Sequence, residues 1–301
     1  MSAPEPPTPG PVVPPTPPER SHGRAGRNLP AAIGVGVVLS AALVVTLGWV
    51  PLGFQILVAL ALALGAVEVY QALKRLDMHA AIVPIVIGTV AILISAYFAG
   101  KRDLGISANT LMLAMIGITA LVTLIWRMPK GEQGFVRDAA ASLFIIGYIP
   151  LLGSFAGLML ADDQGRMRVI TFIAVVALGD IGGYVAGVLF GKHKMAPRIS
   201  PKKTWEGFAG SILFGVVGGI LLVVYLLSAP FWVGIILGVA LVITGACGDL
   251  IESLIKRDVG IKDMSSFLPG HGGVMDRLDS LLVAAPVAWF LMVLLIPGGG
   301  A

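Results

Sequence analysis

From Pro30 onward the chain alternates long apolar runs with short polar connections. A hydrocarbon core about 30 Å thick is crossed by roughly 20 residues of helix, and nine of the runs are long enough to be candidates. They fall at about 30 to 50, 52 to 73, 80 to 99, 104 to 126, 139 to 161, 168 to 191, 208 to 227, 230 to 251 and 280 to 297. Each is predicted to be a helix, which makes the chain an all-α polytopic membrane protein.

An odd number of crossings puts the two termini on opposite sides, and the cations say which is which. Cytoplasmic loops carry the excess of Lys and Arg. With the N-terminus inside, the inner segments hold Arg20, Arg24 and Arg27, then Lys74 and Arg75, then Arg127, Lys130 and Arg137. The later inner loops add Lys192, Lys194, Arg198, Lys202 and Lys203, and finally Lys256, Arg257, Lys262 and Arg277. Only Lys101, Arg102, Arg166 and Arg168 are left outside, a division of 17 to 4. The reading is therefore N-terminus cytoplasmic, C-terminus outside. It divides the chain into a tail at 1–29, N-terminal transmembrane helices at 30–167, and a C-terminal region at 168–301 whose loops at 192–207 and 252–279 face the cytoplasm.

Composition agrees. With 56% hydrophobic and 13% charged residues, the chain lacks the polar surface to cover a soluble globule. The net charge of +4 is spread between apolar segments, so it does not describe a nucleic-acid surface. The first twenty residues include nine prolines and are expected to form an extended tail without a packed face. The Arg cluster after them is like the start of a signal peptide. A second full apolar run follows Trp49-Val50-Pro51 at once, however, so the first helix is expected to be retained. The single Cys247 cannot form an intrachain disulfide and is read as packing.

Ionisable groups at membrane depth are costly and mark functional candidates. Glu68 lies within two turns of Lys74 and Arg75 and is read as an interfacial or structural pair. Asp180 sits in Gly179-Asp180-Ile181-Gly182-Gly183, where a site ligand and a helix-to-helix hydrogen bond both remain open. Asp249, Glu252, Ser253 and Lys256 follow at i, i+3, i+4 and i+7, on one helical face. Next comes Leu268-Pro269-Gly270-His271-Gly272-Gly273-Val274-Met275-Asp276-Arg277-Leu278-Asp279. A glycine-rich turn lets backbone N–H groups approach an anion, and Asp276 with Asp279 puts two carboxylates on one turn. Such oxygen donors suit Mg²⁺, which is commonly held by one or two carboxylates together with substrate phosphates. In the other inner loop, Ser200-Pro201-Lys202-Lys203-Thr204 reads as a stiff turn presenting cations to phosphate, whereas Lys192 and Lys194 fit an ordinary contact with lipid heads. His193 and His271 are read as hydrogen-bonding loop residues.

The span from Ser253 to Asp279, with Lys256, Arg257, Lys262, Asp263, the Leu268-to-Gly273 turn, Asp276, Arg277 and Asp279 in place, resembles the phosphatidate cytidylyltransferase signature throughout. Ser200-Pro201-Lys202-Lys203-Thr204-Trp205-Glu206-Gly207 is similar to the family's second hallmark. The family commonly has Thr or Ser where Ile181 stands. The resemblance implies an enzyme of a bacterial cell membrane, working at its cytoplasmic face on CTP and phosphatidate to form CDP-diacylglycerol and pyrophosphate. It also implies a homodimer and a metal pair of Mg²⁺ with K⁺. Carried over, Asp249 and Asp276 become metal ligands, joined by Glu252 and Asp279, and Asp249, Asp276, Lys256 and Arg277 are the catalytic set. Lys202, Lys203, Ser253, Arg257, His271, Gly272 and Gly273 are the expected substrate contacts. The competing readings are a CTP-dependent polyprenol kinase, a cation-coupled transporter and a non-catalytic scaffold. The full signature argues against the first and third. The absence of a clear repeat argues against the second.

Overall fold

The computed structural model describes residues 29–101, 105–162, 164–268 and 272–296. The Pro-rich tail and His271 lie outside the described residues. In chain order the elements are α1 (Leu29–Trp49), α2 (Pro51–Lys74), α3 (Ile82–Lys101), α4 (Ala108–Arg127), α5 (Phe135–Ile146) and α6 (Leu152–Ala161). Then come α7 (Gly165–Phe190), β1 (Lys194–Ala196), β2 (Ser200–Thr204), α8 (Trp205–Leu227), α9 (Phe231–Asp258) and α10 (Met275–Leu295).

The chain is mostly helical, and seven stretches among the described residues are long and apolar enough to cross a membrane: α2, α4, the joined α5 and α6, α7, α8, α9 and α10. Shorter apolar stretches lie in α1 (Gly34–Trp49) and α3 (Ile82–Ser95). This is the pattern of a multi-pass membrane protein. The run expected at 139 to 161 is not one uniform helix. A π-helical turn at Gly147–Leu151 separates α5 from α6, and Pro150, which has no N–H to give the ladder, lies inside it.

Two expectations need correction. The chain is not purely helical, because the loop at 192–207 holds a two-stranded antiparallel hairpin with Lys194 opposite Thr204 and Ala196 opposite Ser200. Pro197 and Pro201 fix φ and remove donors, which disfavours helix here, and Ser200-Pro201 forms the start of β2 instead of a free-standing turn. Second, several helices run past their apolar stretches. Glu252 through Arg257 lie on α9 and Asp276 through Asp279 on the first turn of α10, so the loop between them is confined to 259–274.

The C-terminal helices pack on one another through small residues, with the glycines of α8 against those of α9, an arrangement that lets backbones approach where the bilayer supplies no hydrophobic drive. Val175, Leu237, Leu241, Ala284 and Ala288 fill the space between α7, α9 and α10, while Leu213, Tyr225, Ile243 and Leu254 face outward. Cys247 is exposed on α9 and is not a core residue. At the end of the bundle where α2 stops and α3 begins, Asp138 accepts hydrogen bonds from Arg127 Nε (2.7 Å) and His79 N (2.8 Å). Arg127 also donates to the carbonyls of Gly131 and Gln133. This buried pair ties the α2–α3 connection to the α4–α5 turn.

Candidate active site

A cavity of about 380 Å³ opens between α7, the hairpin, α8 and α9. Its wall includes Asp180 from α7, Ser200, Lys202, Lys203 and Thr204 from β2, Asp249 from α9 and Ser280 from α10. Sequence-distant residues meet here because three short local devices aim them. Thr204 caps α8, its hydroxyl accepting from Gly207 N at 3.1 Å, and this fixes where β2 ends. Glu206, in the first turn of α8, reaches back to accept from Lys192 N (3.1 Å) and meets His193 Nδ1 at 2.6 Å, closing the hairpin's base. His193 is thereby a hydrogen-bonding loop residue, as read from the sequence. α9 does the third job, carrying Asp249 on the cavity wall and, one and two turns on along the same face, Glu252 and Lys256 beside the start of α10.

Lys203 Nζ lies 2.5 Å from Asp249 Oδ2, joining the second hallmark to α9 four residues before the signature begins. Asp249 and Lys203 are also the charged neighbours of Asp180, and Asp249, Lys256 and Asp180 those of Asp279. On the far side of this cluster Lys256 binds two carboxylates at once, Glu252 on its own helix and Asp276 Oδ1 at 2.8 Å. Asp276, whose side chain is 7% exposed, also accepts from Met264 N (3.0 Å) and Gly273 N (2.8 Å) through Oδ2. The result is one cluster of five acids, Asp180, Asp249, Glu252, Asp276 and Asp279, with the ammonium groups of Lys203 and Lys256 among them.

The glycine turn behaves differently from expectation. Gly272 N donates to Leu268 O (3.1 Å), Gly273 N to Asp276, and Val274 N and Met275 N to Glu68. These donors are occupied by the chain's own acceptors. Glu68, read from the sequence as a partner of Lys74 or Arg75, is instead buried against the signature segment. Nothing in its local sequence points to a partner some two hundred residues away. Asp180, left between two readings, lines the cavity. Lys202, Arg257 and Arg277 are exposed, Arg277 on the first turn of α10, and Ser253 is half-buried on α9.

Among the described residues no group of three or more His, Cys, Asp or Glu is gathered closely enough to hold a metal unaided. Two features nevertheless fit one completed by phosphate oxygens, as is usual for Mg²⁺. Asp249 and Asp276 each carry a lysine ammonium, so each already sits opposite a positive charge. Glu252 Oε1 is buried with no hydrogen-bond partner, and it lies close enough to Asp279 for the two charges to interact.

Comparison with known proteins bears on the same residues. A model of the cytidylyltransferase family matches residues 30–295. The chain is 41% identical over 288 residues to a phosphatidate cytidylyltransferase of Mycobacterium leprae, covering 90% of both chains. It is 38% identical to one of Mycobacterium bovis, covering 92% of both. A phosphatidate cytidylyltransferase of Synechocystis is 30% identical over 87% of this chain and 95% of its own length. The match takes in the transmembrane helices, the hairpin and both charged segments together, and the chain belongs to the cytidylyltransferase family.

Proposed function

We propose that this chain is a phosphatidate cytidylyltransferase, converting CTP and phosphatidate to CDP-diacylglycerol and pyrophosphate at the cytoplasmic face of a bacterial cell membrane. The observation that carries the reading is the Lys203–Asp249 contact, which joins the second hallmark to the helix leading into the signature, on the wall of one cavity. A phosphate oxygen of phosphatidate attacks the α-phosphorus of CTP, the bond from that phosphorus to the bridging oxygen of the β-phosphate breaks, and pyrophosphate leaves. The catalyst must hold two polyanions in line and offset their charge, which calls for positioned cations and no covalent nucleophile.

Lys202 and Lys203, on the hairpin at the mouth of the cavity, meet the lipid phosphate, and Lys256 meets the nucleotide phosphates with Arg277 beyond it. Lys203 and Lys256 are held in readiness by Asp249 and Asp276. Ser253 and Arg257, on the same helix as Asp249, are further phosphate donors. Mg²⁺ bound by Asp249 and Asp276 would supply charge neutralisation on the triphosphate. Asp279 and Glu252 add hard oxygen donors beside it, the surroundings in which K⁺ would fit. The cation distribution supports an N-in, C-out path with nine crossings, and a homodimer is the expected assembly.

Lys203→Ala tests the site. With purified protein in detergent, CTP, Mg²⁺ and dioleoyl phosphatidate, turnover should fall by about 100-fold, the scale of losing one positioned charge at a phosphoryl centre. Turnover equal to the parent's would remove the Lys203–Asp249 contact from the mechanism.

A further inference from the structure

Among the described residues, Glu68 ties the N-terminal helices to the signature segment by hydrogen bonds. Glu68 on α2 is buried, and its carboxylate accepts from Ser265 Oγ at 2.6 Å and Val274 N at 2.9 Å through Oε1. Met275 N completes the set at 2.8 Å on Oε2. Val274 and Met275 are the N-cap and first residue of α10. The opening N–H groups of a helix have no partner within it and favour negative charge. Val274 offers no side-chain cap of its own, so the cap of α10 comes from α2. The very next residue is Asp276, which holds Lys256, and one turn further is Asp279, the charged neighbour of Asp249. The fit leaves no slack: a Cβ on Gly273 would lie 2.7 Å from Glu68 Oε2 and 3.0 Å from Asp276 Oδ2.

We infer that Glu68 is a positioning residue for nucleotide binding, setting the start of α10 so that the Asp276–Lys256 pair faces the triphosphate. The inference rests on the reading of Lys256 as a nucleotide contact. Glu68 reaches substrate only through α10, and the hairpin that meets the lipid phosphate is built from other elements. Disturbing Glu68 should therefore weaken CTP and spare phosphatidate.

The experiment uses the full chain in detergent–lipid micelles with Mg²⁺, varying CTP and phosphatidate separately. Glu68→Gln keeps the shape but turns an NH₂ towards a backbone donor. Losing one hydrogen bond to a charged acceptor predicts a rise in the KM for CTP of about tenfold, with the KM for phosphatidate within about twofold. Ser265→Ala removes only the hydroxyl donor and predicts a smaller rise for CTP, about threefold, in the same direction. A merely structural role would shrink the folded fraction, lowering kcat with both KM values unchanged, and that result overturns the inference. So does a CTP KM equal to the parent's. If Glu68→Gln yields no folded protein, Ser265→Ala decides by the same criterion. Lys256→Ala is run alongside as the reference. Should it leave both turnover and the CTP KM unchanged, the reading of Lys256 fails. If it is impaired while Glu68→Gln is normal, only the role of Glu68 fails.

Discussion

Gly248 precedes Asp249 and sits on α9 where it packs closely against the backbone of α10. A Cβ built there would lie 3.0 Å from the carbonyl carbon of Asp279 and 3.1 Å from Ser280 Cα, and nearer still to the Asp279 carbonyl oxygen. These are backbone atoms of a helix, so no rotamer change relieves the clash. Restoring an ordinary carbon–carbon contact of about 3.5–4.0 Å requires the two helices to part by roughly 0.5–1 Å. That displacement falls directly between Asp249 and Asp279. Overpacking of this kind costs about 1–3 kcal/mol of stability, which a seven-or-more-helix bundle tolerates, whereas a misplacement of about 1 Å at a reacting centre costs on the order of 100-fold in rate. Gly248→Ala should therefore remain inserted and folded, with kcat down about 100-fold. The comparison is Gly65→Ala on α2, where the added methyl would meet only Met275 Sδ at 3.6 Å, an ordinary contact with a flexible side chain. Its turnover should stay within about twofold of the parent's. The assay follows label from CTP into chloroform-soluble product, with thermal unfolding in the same detergent. A Gly248→Ala protein turning over within about threefold of the parent would refute the argument that helix spacing sets the acid geometry.

Three further outcomes follow from the same geometry. Asp276→Asn replaces an acceptor shared by Lys256, Met264 N and Gly273 N with a donor, and turnover should drop at least about 100-fold while the protein still partitions with membranes. Arg127→Ala breaks the buried pair with Asp138 and should lose about 3–5 kcal/mol of stability, read as an earlier unfolding transition, with the CTP KM of the folded protein unchanged. Chelation with EDTA should abolish turnover and added Mg²⁺ should restore it; undiminished activity in EDTA would remove the metal from the proposal.

Much of the architecture is local information and was legible for that reason. Every apolar run meets a helix, because composition over some twenty residues settles whether a segment belongs in lipid. Helix ends were not legible. Hydropathy falls where Asp249 begins, yet α9 continues to Asp258, since Lys256 pairs with Glu252 on its own helix and with Asp276 on the next. The spacing of Asp249, Glu252 and Lys256 did indicate a common face, and the Lys256–Glu252 contact follows from it. The pairing of Lys194 with Thr204 across the hairpin, the reach of Lys203 to Asp249 and the grip of Glu68 on α10 are long-range. Residue pattern marks Glu68 as expensive at its depth, but only the packing of α2 beside α10 reveals what it holds. Asp180 illustrates the same limit, since its role turns on which neighbours α7 presents it to, and its charged neighbours are Asp249 and Lys203.

The most direct test of the account supplies purified protein with phosphatidate, Mg²⁺ and CTP labelled at either the α- or the γ-phosphate, alongside the Asp249→Asn variant. The account predicts α-label in lipid with release of pyrophosphate from the parent chain, no γ-label in lipid, and neither product from Asp249→Asn. Label from the γ-position in lipid, or full turnover by Asp249→Asn, would contradict it.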